Sequence, residues 1–151
     1  MIRRVVPRLR ALLRRPVADQ WLALQTWVLL GVARVLIDRL PFPRLERLLG
    51  SRFAESGGTL DAGDASQVRR VSWAIERVSP HTPWNSNCFP QALAAKWLLR
   101  RRGVASTLYL GAKFDPSNRE QLMAHAWLRA GTSYVTGGNA GRSHGAVASF
   151  A

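Results

Sequence analysis

A polar loop changes abruptly into a helix-forming run in the middle of this chain, and the only cysteine stands at the junction. The loop ends in Asn85-Ser86-Asn87, and the run from Gln91 to Leu99 is rich in Ala and Leu. Pro90 has a preset φ and no N–H, so it fits best in the first turn of a helix. Cys88 is therefore predicted at or just before a helix N-terminus, where unpaired N–H groups and the helix dipole stabilise a thiolate. The thiolate is the nucleophilic form of cysteine.

The composition indicates one globular protein. The chain has 151 residues, a hydrophobic content of 47% and six Trp, which is enough to bury a core and argues against disorder. A single cysteine excludes an internal disulfide and a thiolate metal cluster. Because no clear export signal is present, the reducing cytoplasm is the expected compartment. Neither a cofactor nor a metal is indicated.

The chain is strongly basic, with 22 Lys and Arg against nine Asp and Glu and a formal charge of +13. The basic residues concentrate at Arg3 to Arg15, Arg69 to Arg77, and Arg100 to Arg102. Such a surface suits nucleic acid, anionic lipid or an acidic peptide. Nucleic acid is not expected, because no reading motif and no basic stripe interleaved with aromatic residues is present. A solvated basic face remains the simplest alternative.

The segment from Trp21 to Leu40 is nearly all apolar. A membrane span needs about 20 apolar residues with few charges. Here the charge-free part runs only from Gln20 to Ala33, and Arg34 and Asp38 interrupt the remainder. The pattern therefore favours a buried core helix or a partner-docking helix over a membrane anchor. Pro41 is predicted to end it.

Other helices are predicted before the cysteine. In the basic arm of residues 1–20, the spacing of its leucines suggests a short amphipathic helix, and Asp19 is a candidate N-cap for the helix that follows. Residues 42–50 form a short helix that a glycine ends. Residues 51–65 have no periodicity and are predicted as a loop. Ser66 is predicted to cap a helix that runs to Val78.

Beyond Gly103 the pattern changes from helical to alternating, which is typical of strands. The predicted strands are Val104 to Lys113, Met123 to Arg129, and Ser133 to Thr136, with a hairpin turn at Gly131-Thr132 and a loop followed by a short apolar end. Helices first and an antiparallel sheet second give an α+β architecture. We divide the chain into an N-terminal helical region, residues 1–65, and a core with the cysteine, residues 66–151, and expect the two to form one compact domain.

A cysteine nucleophile needs an imidazole partner that is held in place. His125 lies inside the second predicted strand, between two alanines that leave space at the ring, and Trp127 follows on the same face, where it would wall a cleft. A polar residue in a buried strand is costly unless it has a partner. The alternatives are a satisfied core histidine for His125 and a small buried hydrophobe for Cys88. His81 and His144 lie in loops and are predicted to be solvated.

The order of these features matches a known family. The motifs that match are Pro83-Trp84, Cys88-Phe89-Pro90-Gln91-Ala92-Leu93, Leu98 to Val104, Leu110-Gly111, and Ala124-His125-Ala126-Trp127-Leu128, with a looser match at Leu40-Pro41-Phe42. In these motifs the chain resembles the bacterial lasso-peptide biosynthesis B proteins. These are transglutaminase-like cysteine peptidases that remove the leader from a lasso-peptide precursor. The resemblance implies a nucleophile helix packed on a small antiparallel sheet, as in transglutaminase-like and papain-like cores.

The resemblance implies that Cys88 is the nucleophile and that His125 transfers the proton. In that family an acidic residue after the histidine orients its ring, but the last acidic residue here is Glu120. Asn139, Thr136 or the backbone is therefore expected to take that role, and Asp115 is a poorer candidate.

Other site residues also follow from the resemblance. The Cys88 N–H and a second donor, from the preceding loop or from Gln91, would form the oxyanion hole. Gln91, Trp84 and Trp127 are the candidate substrate-binding residues, although Trp84 equally suits the core.

The family also implies partners. These are a precursor peptide as substrate, a winged-helix leader-recognition protein, and an ATP-dependent macrolactam synthetase that closes the ring of the freed core peptide. Residues 1–60 are too helical and apolar to be the leader-recognition domain, so a separate partner is expected, with the Trp21–Leu40 helix or the basic face as docking candidates. The alternatives are a non-catalytic peptide-binding module and an acyltransferase with the same Cys-His pair.

Overall fold

The computed structural model describes residues 14–114, 117, 122–138 and 145–151, and shows a layer of helices on a four-stranded antiparallel sheet. The helices are α1 (Val17–Arg39), α2 (Phe42–Leu49), α3 (Ala62–Val78) and α4 (Cys88–Arg100), with a 3₁₀ turn at Ser79–His81. The strands are β1 (Thr107–Phe114), β2 (Leu122–Ala130), β3 (Ser133–Thr136) and β4 (Gly145–Phe150), in the order β3-β2-β1-β4. The predicted α+β fold class is confirmed.

Helix α4 is the centre of the molecule. It contacts α1 and α3 on one side and strand β2 on the other. Nearly every side chain of α4 after its first two residues is buried, which is typical of a helix surrounded by protein. Its alanines allow this close approach, and Leu93, Leu98 and Leu99 fill the space between the helices and the sheet. The start of α4 is thereby fixed relative to the sheet.

Helix α1 begins earlier than predicted. Its N-cap is Pro16, and the helix starts at Val17. Because the φ of proline is fixed, Pro16 ends the preceding segment and the chain enters the helix directly after it. The prediction that Asp19 caps this helix is wrong. Asp19 lies in the first turn, where its carboxylate accepts a hydrogen bond from Arg70 of α3 at 2.9 Å.

Helix α3 also begins one turn before its predicted start. The N-cap is Asp61, whose Oδ1 accepts a hydrogen bond from the Asp64 N–H at 2.7 Å. Ser66 lies inside the helix, so its predicted role as the cap is wrong. Gly63 in this first turn gives the segment the composition of a loop, although the capping side chain is sufficient to start the helix there.

The sheet contains one strand that the sequence analysis missed. Strand β4 pairs with β1 at the edge of the sheet, and its last side chain, Phe150, is fully buried. Its first residues are small and exposed, so the segment lacks the alternation that predicts a strand. Strand β1 starts at Thr107 rather than at the predicted Val104, because the Val104 N–H is used to bond the Leu99 carbonyl at the end of α4.

Several predictions concern residues outside the described ranges: the short helix in the basic arm, Asn139, His144 and Asp115. The division at residue 65 stays a prediction. Among the described helices, α1 is long and apolar enough to cross a membrane by length and composition alone, a test that core helices of soluble proteins also pass.

Candidate active site

Cys88 is the first residue of α4, as the sequence predicted. Its side chain is half-buried and packs against the hydrophobic core. The N-cap residue, Asn87, makes no side-chain hydrogen bond to the first turn. The N–H groups of Cys88 and Phe89 are therefore not capped by that side chain, and Pro90 supplies no N–H at all. The helix start thus presents two backbone donors beside a thiol.

The loop before Cys88 is held by side-chain hydrogen bonds. Gln91 Nε2 donates to the Ser86 carbonyl at 2.7 Å, and the hydroxyls of Ser86 and Thr82 lie 2.7 Å apart. The Thr82 Oγ1 also lies 3.0 Å from the Ser79 and Trp84 carbonyls, either of which it can bond. The structure therefore gives the side-chain amide of Gln91 a contact within the loop, and this contact positions the backbone that leads to Cys88.

Trp84 packs on helix α1. A Cβ at Gly31 would lie 2.9 Å from Trp84 Cζ2, so only glycine leaves room for the indole. The rings of Trp84 and Trp27 are tilted by 56° with centroids 4.7 Å apart. With Val28, Val32 and other residues of α1, they line an apolar groove of about 440 Å³. Trp84 therefore joins the loop before the cysteine to the surface of α1.

His125 lies on β2, the strand that α4 packs against. Its neighbours Ala126 and Leu128 belong to the core between the sheet and the helices. Alternation along the strand places His125 with Trp127 on the other face, away from the face on which α4 packs, so the structure does not bring Cys88 and His125 together on one face of the sheet. Their rings are stacked at 17° with centroids 6.1 Å apart, and Trp127 stacks in turn on Tyr109 at 5.4 Å. The predicted shared face of His125 and Trp127 is confirmed by this row.

The space beside His125 is provided by a glycine that follows β3. A Cβ at Gly137 would lie 2.8 Å from His125 Nε2 and 2.9 Å from Trp127 Cβ. Gly137 also has a φ of 68°, a conformation that other residues rarely adopt. The residue before it, Thr136, pairs with Leu128, and its Oγ1 is buried without a hydrogen-bond partner among the described residues. The immediate neighbour of the imidazole on this side is thus the backbone at Gly137.

The aromatic row ends in a cation. The guanidinium of Arg129 lies over the rings of Tyr109 and Tyr134, at 5.9 and 5.7 Å from their centroids. Burial, followed by a hydrogen bond with Glu55, raises the pKa of Tyr109. Tyr109, Arg129 and Tyr134 were not among the predicted site residues. For Tyr109 and Arg129, alternation with the core residues of β1 and β2 is the signal that would have grouped them.

Lys96 is a second residue that the sequence analysis did not single out. It lies in the middle of α4 and is only 6% exposed. Its Nζ donates to the Ser106 carbonyl at 2.9 Å and to the Phe150 carbonyl at 3.0 Å. Burial, with a smaller effect from the Arg100 charge, lowers its pKa to about 8. Lys96 therefore ties the nucleophile helix to both the entry of β1 and the end of β4.

The last predictions to compare with the structure concern His81 and a metal site. His81 is exposed, as predicted. Within the described ranges, no three His, Cys, Asp or Glu side chains come together in a way that could hold a metal ion.

Together these features define the class of the protein: an α+β domain in which a cysteine opens a central helix and a histidine lies on the antiparallel strand packed against that helix. A family model described as the transglutaminase-like superfamily matches residues 27–149. The chain belongs to this superfamily, whose domains commonly carry cysteine peptidase or acyltransferase activity. Comparison with curated proteins gives no match, and neither does comparison with solved structures.

Proposed function

We propose that this protein is a cysteine peptidase that removes the leader peptide from a lasso-peptide precursor through an acyl-enzyme. The observation that carries the proposal is the position of Cys88 as first residue of an uncapped helix, within the part of the chain that matches the transglutaminase-like superfamily. The motif resemblance described above supports the choice of peptide substrate.

In the proposed reaction, the Cys88 thiolate attacks the scissile carbonyl carbon and forms a C–S bond. The oxygen of that carbonyl becomes an oxyanion, which accepts hydrogen bonds from the N–H groups of Cys88 and Phe89. The C–N bond then breaks, and His125 gives its proton to the departing amine. His125 next takes a proton from water, whose oxygen attacks the thioester carbon; the C–S bond breaks, which releases the leader as a peptide acid and restores the Cys88 thiolate and the protonated His125.

The orientation of His125 is the part of the site where this chain departs from its family. We assign it to the end of β3 and the segment that follows, with Asn139, Thr136 and the backbone as candidates. The close approach of Gly137 to His125 supports the backbone, because a side chain at position 137 would lie against His125 Nε2. Trp127 holds the other side of the imidazole by stacking.

The proposed partners follow from the same resemblance. The precursor would arrive with a winged-helix leader-recognition protein, and the freed core peptide would pass to an ATP-dependent macrolactam synthetase, all in the cytoplasm. A charge of +13 supports an acidic leader as the segment that meets the basic surface.

A cleavage assay tests the proposal. The precursor and its recognition partner are incubated with wild type, Cys88→Ala and His125→Asn, and the products are identified by mass spectrometry. His81→Asn is the matched control, because His81 is exposed and lies outside the site. Leader release by wild type and His81→Asn alone supports the peptidase. Equal behaviour of wild type and Cys88→Ala would show a binding module, and an adduct with an added amine would show an acyltransferase.

A second assay tests the Cys-His pair without the precursor. Iodoacetamide alkylation of Cys88 is followed at mildly acidic and neutral pH. Wild type and His81→Asn are expected to react about tenfold faster than glutathione at neutral pH, because the helix start favours the thiolate and the proposal requires the His125 imidazole to reach the sulfur as well. His125→Asn should lose most of that advantage. If His125→Asn and wild type react at the same rate, the two side chains do not act as a pair.

A further inference from the structure

The outer face of α1 carries a continuous row of exposed apolar side chains, which we call the apolar stripe. It consists of Val17, Trp21, Leu24, Val28, Val32 and Val35, each between 43% and 80% exposed. At 3.6 residues per turn, these positions fall within a sector of about 80° and extend along about 27 Å of the helix. A soluble monomer rarely exposes a continuous apolar row of this length without a use for it.

The opposite face of α1 is buried against the rest of the protein. Leu22, Thr26, Leu30 and Ala33 are buried, and α1 contacts both α3 and α4. Crossing a bilayer would require these contacts to break, although the length and composition of α1 would allow a span. Because one face of α1 is buried in the core, the apolar stripe can contact a surface only if the helix axis lies parallel to that surface. This geometry suits a helix that lies on a surface.

The charges at the ends of α1 indicate which kind of surface the apolar stripe would contact. Exposed arginines lie at both ends of α1: Arg14 and Arg15 before it, and Arg39 and Arg44 at its end and at the start of α2. The acidic side chains of α1 are paired, Asp19 with Arg70 and Asp38 with Arg34. The whole chain carries +13. A second copy of the chain would bring like charges together, whereas anionic lipid headgroups are complementary to every one of the exposed arginines. Trp21 within the stripe is of the residue type that favours the boundary between headgroups and acyl chains.

We propose that the apolar stripe of α1 docks on an anionic lipid bilayer, with α1 lying parallel to the membrane surface. Trp27, at the side of the stripe, contacts Trp84, four residues before Cys88. Docking therefore brings the loop that leads to the candidate nucleophile close to the lipid. The proposal does not depend on the peptidase activity, and Cys88→Ala is expected to bind vesicles as wild type does.

Cosedimentation with vesicles tests the docking. The probes are phosphatidylcholine vesicles with and without phosphatidylglycerol. Wild type is expected to bind only the vesicles that contain phosphatidylglycerol. Leu24→Glu with Val28→Glu should weaken binding about tenfold or more, because it places two carboxylates in the lipid contact. The matched control is Phe53→Glu with Val147→Glu, which makes the same charge change at two positions that are each 68% exposed and lie outside α1. Its binding should exceed that of the stripe variant by the same factor.

Two results would overturn the proposal. Failure of wild type to bind would assign the stripe to a protein partner, and equal loss in the two double variants would show adhesion by net charge alone. Thermal melts establish that each variant is folded. Fluorescence quenching by brominated lipid gives a measurement that needs no charged variant. Tryptophan emission of the bound protein should be quenched less in Trp21→Phe than in wild type, and identical quenching would also refute contact through the stripe.

Discussion

The buried amine of Lys96 makes the stability of the protein depend on pH in a defined direction. Its pKa is lowered from 10.5 to about 8 in the folded state, first by burial and then by Arg100. Below pH 8 the amine is charged in both states, and the folded state bears the cost of burying the charge. As the pH rises from 8 towards 10.5, the folded protein releases this proton while the unfolded chain retains it. Stability therefore increases over this interval.

The size of the effect follows from the two pKa values. Linkage between a folded pKa of about 8 and an unfolded pKa of 10.5 gives a stabilisation of about 2.5 kcal/mol between about pH 7 and about pH 10. Urea unfolding at a series of pH values measures it. Lys96→Met removes the titrating group and leaves the Ser106 and Phe150 carbonyls without this donor, so it should be less stable overall and lack this rise.

Lys113→Met is the matched control, because Lys113 lies on β1 away from the core and its replacement leaves the Lys96 contacts intact. The difference in unfolding free energy between wild type and Lys96→Met cancels the titration of other groups and isolates that of Lys96. The control should retain the rise of wild type. Parallel curves for wild type and Lys96→Met across this range would refute the reasoning.

Three further substitutions test the local structure by urea unfolding or activity. Gly137→Ala should destabilise the protein by about 1–3 kcal/mol and slow Cys88 alkylation, because it strains a positive φ and pushes on His125; Gly57→Ala, in open space, should do neither. Asp61→Ala should cost about 1 kcal/mol of stability through the lost N-cap, while Ser66→Ala inside the helix should cost less than half of that. Gln91→Leu should lower cleavage and destabilise by about 1 kcal/mol, because the Ser86 carbonyl loses its donor; unchanged cleavage would show that the loop is held by its other bonds.

The features that local chemistry decides could be predicted from the sequence. Pro90 after a polar loop located the start of α4, and Gly103, with its φ of 75°, located the segment where that helix ends. The hairpin between β2 and β3 turns at Gly131, where the sequence placed it. In each case one residue type has a backbone preference strong enough to act without tertiary contacts.

The features that depend on distant parts of the chain could not be predicted. In the sequence, Lys96 has no feature that separates it from the other residues of a helix-forming run. Its burial follows from the contact with the end of β4, where it donates to the Phe150 carbonyl. The space beside His125 comes from Gly137 rather than from the flanking alanines. Strand β4 itself is defined by its pairing with β1 and not by its own pattern.

Pro90 also has a consequence for what the start of α4 can hold. An ordinary helix N-terminus offers enough N–H groups to cradle a phosphate or sulfate through several oxygens. With the third nitrogen of this helix blocked by a pyrrolidine ring, only two donors remain, which is the number that a single oxygen atom can use. We therefore expect Cys88 to keep its reactivity in phosphate and sulfate buffers, so that the abundant inorganic anions of a cell would not compete with a peptide carbonyl.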